Sequence, residues 1–405
     1  MRKLWAWGQI WERGQVLIVF PAGQTADLSA DGPTRTSAGI CNGNQKRSED
    51  TLNQKMTRFG ALAAVMTLSA VPALAERPSA GCGSASPASG VYQIADGALT
   101  RTYRMHVPAG LDAAKPAPLA LIFHGWGGDE NEFLADPVVT GEADRLGFIL
   151  VAPRGAGSEA PDNSYNSWTF DGSATGVGVD GRPVCDGAEG EAKTNYAYPS
   201  CGPVGEGVAQ NGCSWTQCQT DDVGFVTTLI DEIGKTACVD LDRVFATGGS
   251  NGGMFTWGLG QTGQTAMALR AIAPIVGLPH QGDLAPPARP DGLPVLVITG
   301  NQDPTVPPGV WEDPGMSTTA DTDLYHYTGA TGITRAWAEA QGCKTDVAAA
   351  PVEFGAEGMD CRSYCAADGS GLPPVLDCRA DMEHDYALAK SWPMVLDFFN
   401  RQPPR

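Results

Sequence analysis

Histidine is scarce in this chain, five residues among 405. Basic side chains are few as well: 27 Lys and Arg stand against 46 Asp and Glu, a net charge of −19. Such an acidic surface repels phosphate backbones and anionic lipid headgroups, which argues against nucleic acid or a charged membrane surface as partner. Zinc-type cysteine spacing is missing. The close pairs Cys213/Cys218 and Cys361/Cys365 are not C-x-x-C, and no histidine lies near them in a finger pattern, so no metal is expected. No internal repeat is present, and no appended module is expected after the last helix. Long apolar runs are wanting too. Only Phe59 to Leu74 approaches a bilayer span, and it is short and rich in Ala and Gly. What remains is an ordinary 42% apolar content with many glycines and prolines (51 and 30), the composition of a loop-rich globular chain.

The apolar run is better explained as a signal. Met56-Thr57-Arg58 supplies a short basic start, and Ala73-Leu74-Ala75 before Glu76 is an A-x-A cleavage pattern. Residues 56–75 therefore read as a signal peptide. Residues 1–55 show no sustained periodicity and are expected to be translated upstream sequence, with Met56 the true start. The mature chain reads as one domain over 76–402. Of the eleven cysteines, only Cys41 precedes the signal; the other ten suggest up to five disulfides in an exported protein.

Along the mature chain, Gly90 to Val107 predicts a hairpin turning at Asp96-Gly97. Leu119–Phe123 and Phe148–Ala152 are continuous apolar runs, the mark of strands buried on both faces. A helix is expected between them, near Asn131 to Leu146. Strand, helix and strand at this spacing indicate an α/β fold with a mostly parallel sheet. Residues 154–220 then lose all periodicity and hold four cysteines. They are expected to form a disulfide-stapled insertion, either over the functional face or as surface decoration. Asp221–Ile233 predicts a helix, Ala271–Val276 and Val295–Thr299 two more buried strands, Ile333–Ala340 another helix, and Tyr386–Asn400 a closing one.

Val244 to Leu259 carries the chemistry. A β-type run enters Gly248-Gly249-Ser250-Asn251-Gly252, and a helix-capable segment leaves it. Gly-x-Ser-x-Gly on a strand-to-helix elbow lifts a serine hydroxyl clear of the backbone, and side chains two residues to either side would clash. The amide of Asn251 becomes an oxyanion donor at the positive end of the helix. His124-Gly125-Trp126-Gly127-Gly128 ends the first buried strand and offers a second donor, assigned to Trp126. His384, between the last strand and the last helix, is the expected base, with His280 or His326 as runner-up. His124 is expected to be structural and His106 solvated. Asp303 follows the strand ending at Gly300 and is the expected acid. The chain order Ser250, Asp303, His384 is that of α/β-hydrolases. Trp168 and Trp215 could stack on a sugar or aryl ring, or could equally be loop core.

These motifs, with Cys213-Ser214-Trp215-Thr216-Gln217-Cys218, Asp221 to Phe225 and Cys238-Val239-Asp240, resemble the exported polyhydroxybutyrate depolymerase and feruloyl esterase group of the α/β-hydrolase superfamily. The leader Ser79 to Gly83 and Gly90 to Ile94 also look like that group's mature start. The resemblance spans roughly Gly81 to Asn400. It implies a central, mostly parallel sheet with helices on both faces and a secreted serine esterase without a cofactor. Its substrates would be feruloyl or related esters of plant polysaccharide, or hydroxybutyrate oligomers. Such an enzyme is expected to act as a monomer and to bind no membrane once its signal is removed. Two positions depart from the group: Glu383 replaces the usual glycine before the histidine, and no proline directly follows Tyr386. A peptidase of the same fold, or a non-catalytic carbohydrate-binding protein on this scaffold, are the alternatives.

Overall fold

Ten strands form one sheet in the order β1-β2-β4-β3-β5-β6-β7-β12-β11-β10 in the computed structural model. Residues 76–156, 166–170, 173, 179–182, 184–185, 221–315, 317–319, 325–365 and 374–405 are described. The expected upstream segment, the signal peptide and most of the insertion, Trp215 included, lie outside these residues.

The sheet begins with the predicted hairpin, β1 (Gly90–Asp96) and β2 (Leu99–His106). Asp96 pairs with Leu99 across a two-residue turn in which Gly97 has φ 58°. β3 (Ala117–Phe123) and β4 (Ile149–Pro153) are buried along their whole length. β5 (Val239–Gly249), β6 (Ala271–Ile275), β7 (Val295–Gly300) and β12 (Val375–Ala380) continue the parallel centre. β11 (Met359–Ser363) and β10 (Ala350–Pro351) close the far edge antiparallel. A small separate ladder joins β8 (Ser317–Thr319) to β9 (His326–Thr328).

Buried strands need cover on both faces, and alternate residues of each strand enter two cores. On one face Leu119, Leu121 and Phe123 pack with α2 (Asp222–Thr236), α3 (Asn251–Gln261) and α5 (Ala330–Ala340). On the other, Ala120 and Ile122 meet α1 (Pro137–Leu146) and α6 (Leu388–Asn400). The short α4 (Gly263–Ala268) follows α3. α1 starts later than the sequence suggests. Asp136 accepts from Val138 N–H as its cap, and Pro137, which lacks an N–H, occupies the first turn, so Asn131 to Ala135 form turns instead. Tyr386 likewise precedes α6 rather than opening it.

Disulfides join Cys82 to Cys238, Cys343 to Cys365 and Cys361 to Cys378. The neighbours Cys361 and Cys365 take different partners because Cys361 faces Cys378 directly across the β11–β12 ladder. The Cys82 bond, reinforced by Ser79 Oγ donating to the Ala237 carbonyl at 2.8 Å, pins the start of the domain to the strand that leads to Ser250.

Candidate active site

β5 delivers Ser250 at its C-terminal end, where α3 begins. The residue has φ 52° and ψ −118°, a conformation that costs a non-glycine residue about 1–3 kcal/mol. The flanking glycines make the turn sterically possible. A Cβ on Gly248 would lie 2.6 Å from the Phe123 carbonyl oxygen, and one on Gly252 would lie 2.5 Å from that of His124. Ser250 N–H donates to the Ile275 carbonyl at 2.9 Å, tying the elbow to the neighbouring strand.

His384 Nε2 is 2.9 Å from Ser250 Oγ, and its Nδ1 is 2.8 Å from Asp303 Oδ2. Asp303 is buried, and its other oxygen accepts the N–H groups of Thr305 and Val306 at 2.8 Å each. With its carboxylate on Nδ1, the neutral imidazole carries its proton there and leaves Nε2 free to accept from the serine. The histidine loop is held at β7: Asn301 N–H donates to Ala380 O at 2.8 Å and Gln302 N–H to Met382 O at 3.1 Å. Glu383 is exposed, so the residue that replaces glycine before His384 turns toward solvent. The runner-up bases stand elsewhere. His280 is enclosed among Phe170, Tyr325 and Tyr327, and His326 lies in β9.

The two expected oxyanion donors belong to segments that meet at Ser250. Asn251 N–H is the first amide of α3 and so has no acceptor within the helix. The Asn251 side chain accepts Trp168 N–H at 2.9 Å. Trp126 sits in the loop after β3, and a Cβ on its neighbour Gly125 would lie 3.5 Å from Ser250 Cβ. That loop is fixed on every side. Gly125 N–H donates to Glu132 Oε1 at 2.9 Å, Gly127 N–H to Asn166 O at 2.7 Å, and Gly128 N–H to Gly125 O at 3.1 Å. Asn166 Nδ2 returns a bond to Gly128 O at 2.8 Å.

His124 is a strut of this wall. Its Nε2 accepts Gly155 N–H at 2.8 Å, which places the ring proton on Nδ1, 2.6 Å from Gly125 O. Burial pushes its pKa down to about 4, so it stays neutral at physiological pH. His106 is less open than the sequence suggests, because it bonds Asp144 at 2.8 Å.

Trp168 requires a correction. It is 0% exposed, so it cannot stack on a substrate ring. Its indole stacks on Phe255 and meets Phe123 edge-on, both at 5.1 Å, and Nε1 donates to His124 O at 2.9 Å. An aromatic in a polar loop resembles a sugar platform in sequence; here it is the post behind the loop that carries Trp126. A buried ion pair fastens the same segment: Asp222 receives Arg101 Nη1 at 2.8 Å and Thr169 N–H at 2.7 Å. Burial raises the Asp222 carboxyl while the Arg101 charge opposes that shift.

Sequence reasoning did not find Asn166, Glu132 or Tyr386. Only Tyr386 carried a usable signal, two residues beyond His384. Glu132 and Asn166 meet the Gly125–Gly128 loop through folding that no local pattern records.

No protein-family model matches the chain. It is 30% identical over 213 residues to NocK of Nocardia uniformis subsp. tsuyamanensis, which is assigned as an esterase; the match covers 51% of this chain and 46% of that protein. It is 32% identical over 146 residues to feruloyl esterase B of Piromyces equi, covering 35% of this chain and 25% of that one. The chain thus spans less than half the length of these relatives. Among solved structures it is similar to an acetyl xylan esterase from Aspergillus awamori, with a TM-score of 0.40, 14% identity and coverage of 73% of this chain and 94% of that one. An S-formylglutathione hydrolase from Agrobacterium tumefaciens gives a TM-score of 0.42 at 12% identity, covering 78% and 95%. With its parallel centre, its helices on both faces and Ser250 on the elbow after β5, the chain has the α/β-hydrolase fold, and in sequence it is similar to esterases.

Proposed function

We propose that this chain is an exported serine esterase that cleaves carboxylic esters through an acyl-enzyme. The contact of His384 with both Ser250 Oγ and Asp303 carries the reading. Ser250 Oγ attacks the ester carbonyl as His384 Nε2 takes its proton. The negative charge moves to the carbonyl oxygen, which the amides of Trp126 and Asn251 hold. Asp303 stabilises the imidazolium. Collapse of the intermediate expels the alcohol, which takes the proton back from His384. Water then repeats the sequence on the acyl-enzyme and frees the acid. Loss of one oxyanion donor in such a site costs about 3 kcal/mol of transition-state stabilisation.

The sequence similarity to esterases supports the reaction class, and that to feruloyl esterase B favours feruloyl or related aryl esters of plant polysaccharide over hydroxybutyrate oligomers. Disulfide pairing and the signal-like segment at 56–75 support export, because such bonds persist in oxidising compartments. Ser250→Ala is expected to abolish p-nitrophenyl ester turnover and fluorophosphonate labelling while thermal unfolding stays unchanged; retained turnover would sink the assignment. Parallel rates on methyl ferulate, acetylated xylan and 3-hydroxybutyrate oligomers identify the acyl group.

A further inference from the structure

Glu132 and Tyr386 have no place in the proton relay, yet both press on it. Glu132 Oε1 accepts Gly125 N–H at 2.9 Å. Its other oxygen lies where a Cβ on Gly128 would stand, so the glycine loop closes around the carboxylate. A Cβ on Gly125 would meet both the Tyr386 hydroxyl and Glu132 Oε1, so phenol and carboxylate lie side by side against that glycine. The tyrosine ring lies flat against Gly249, with no room for a Cβ between them, and stacks on Phe133 at 5.1 Å and 7°. Ser391 Oγ donates to the Tyr386 carbonyl at 2.5 Å, which anchors the tyrosine to α6. One phenol therefore lies against Gly249 of the elbow and Gly125 of the glycine loop, beside the carboxylate that loop encloses, and two residues from the base.

We infer that Glu132 and Tyr386 form a clamp that positions the Trp126-bearing loop against Ser250 and His384. The inference rests on the serine-esterase reading above. Burial raises the Glu132 carboxyl, and it raises the Tyr386 phenol well above its ordinary value, with the Glu132 charge adding to the effect. The hydroxyl thus keeps its proton beside the carboxylate. Neither side chain would bond the substrate. Their work falls on the oxyanion, whose donors must sit within hydrogen-bond distance of where charge develops. The clamp accordingly affects kcat and leaves KM alone.

The test uses Tyr386→Phe, Glu132→Ala, Glu132→Gln and the Tyr386→Phe/Glu132→Ala double variant, with p-nitrophenyl butyrate as substrate. Tyr386→Phe is expected to lower kcat about tenfold and Glu132→Ala about a hundredfold, with KM within about twofold. Glu132→Gln keeps an acceptor for Gly125 N–H and is expected to recover most of the loss. The double variant should fall no further than Glu132→Ala, because both changes open the same clamp. Variants with wild-type kcat, a rise in KM alone, or fully additive losses overturn the inference. Should Glu132→Ala not fold, Tyr386→Phe decides. Fluorophosphonate labelling of the wild type separates the two levels: failure to label Ser250 removes the esterase reading and the clamp together, whereas a labelled wild type with kinetically silent variants removes only the clamp.

Discussion

His280 should make the protein acid-sensitive, and replacing it should relieve that sensitivity. The residue is 4% exposed, with the rings of Phe170, Tyr325 and Tyr327 centred 6.2, 6.0 and 6.0 Å away. Neither ring nitrogen has a hydrogen-bond partner among the described residues. Burial lowers its pKa from 6.5 to about 4. The unfolded chain takes up a proton as pH falls through 6.5, while the folded chain refuses it until about 4. Stability is therefore untouched above that window and drains away within it. At about pH 4.5 the loss amounts to roughly 2–3 kcal/mol, since each pKa unit is worth about 1.4 kcal/mol. A typical domain is stable by only about 5–15 kcal/mol. His280→Leu removes the titration and, among the described residues, sacrifices no side-chain hydrogen bond. Urea unfolding of the oxidised protein, at about pH 7 and about pH 4.5, provides the assay. The wild type should lose roughly 2–3 kcal/mol more than the variant between the two conditions, and the variant should be at least as stable at neutral pH. A variant with the wild-type pH dependence would refute the reasoning. His124 shares the lowered pKa and supplies a residual slope in both proteins.

Two further outcomes test the elbow and the acid. Asp303→Asn should leave the fold intact, because its side-chain oxygen can still accept the amides of Thr305 and Val306, yet drop kcat by about 10⁴ through the wrong histidine tautomer; a loss below tenfold in p-nitrophenyl ester turnover would remove Asp303 from the relay. Gly252→Ala forces a Cβ onto the carbonyl oxygens of Phe123 and His124, so thermal unfolding should shift down by at least about 1–3 kcal/mol, with Ser250 labelling slowed.

Much of the architecture was legible in the chain because its causes are local. Leu119–Phe123 and Val295–Thr299 announce buried parallel strands by their apolar runs, since a strand covered on both faces has little polar side to show, and the strands run Ala117–Phe123 and Val295–Gly300. Gly248 and Gly252 announce the elbow because no side chain fits there. Element ends were less readable. The helix expected from Asn131 begins at Pro137, where the Asp136 cap outweighs the apolar spacing that precedes it.

The sequence by itself determined the first hairpin, the buried central strands, the glycine-flanked serine turn and the chain order of Ser250, Asp303 and His384, because steric fit, periodicity and order along a chain need no partner. Tertiary structure alone decided between His384 and the runners-up His280 and His326 as the histidine that meets the serine, that Trp168 is buried core, that Cys361 pairs with Cys378 across a ladder, and that Glu132 and Tyr386 converge on Gly125 beside the elbow. Those are contacts between residues far apart in the chain. The order of strands in the sheet brings them together, and no stretch of sequence encodes that order locally.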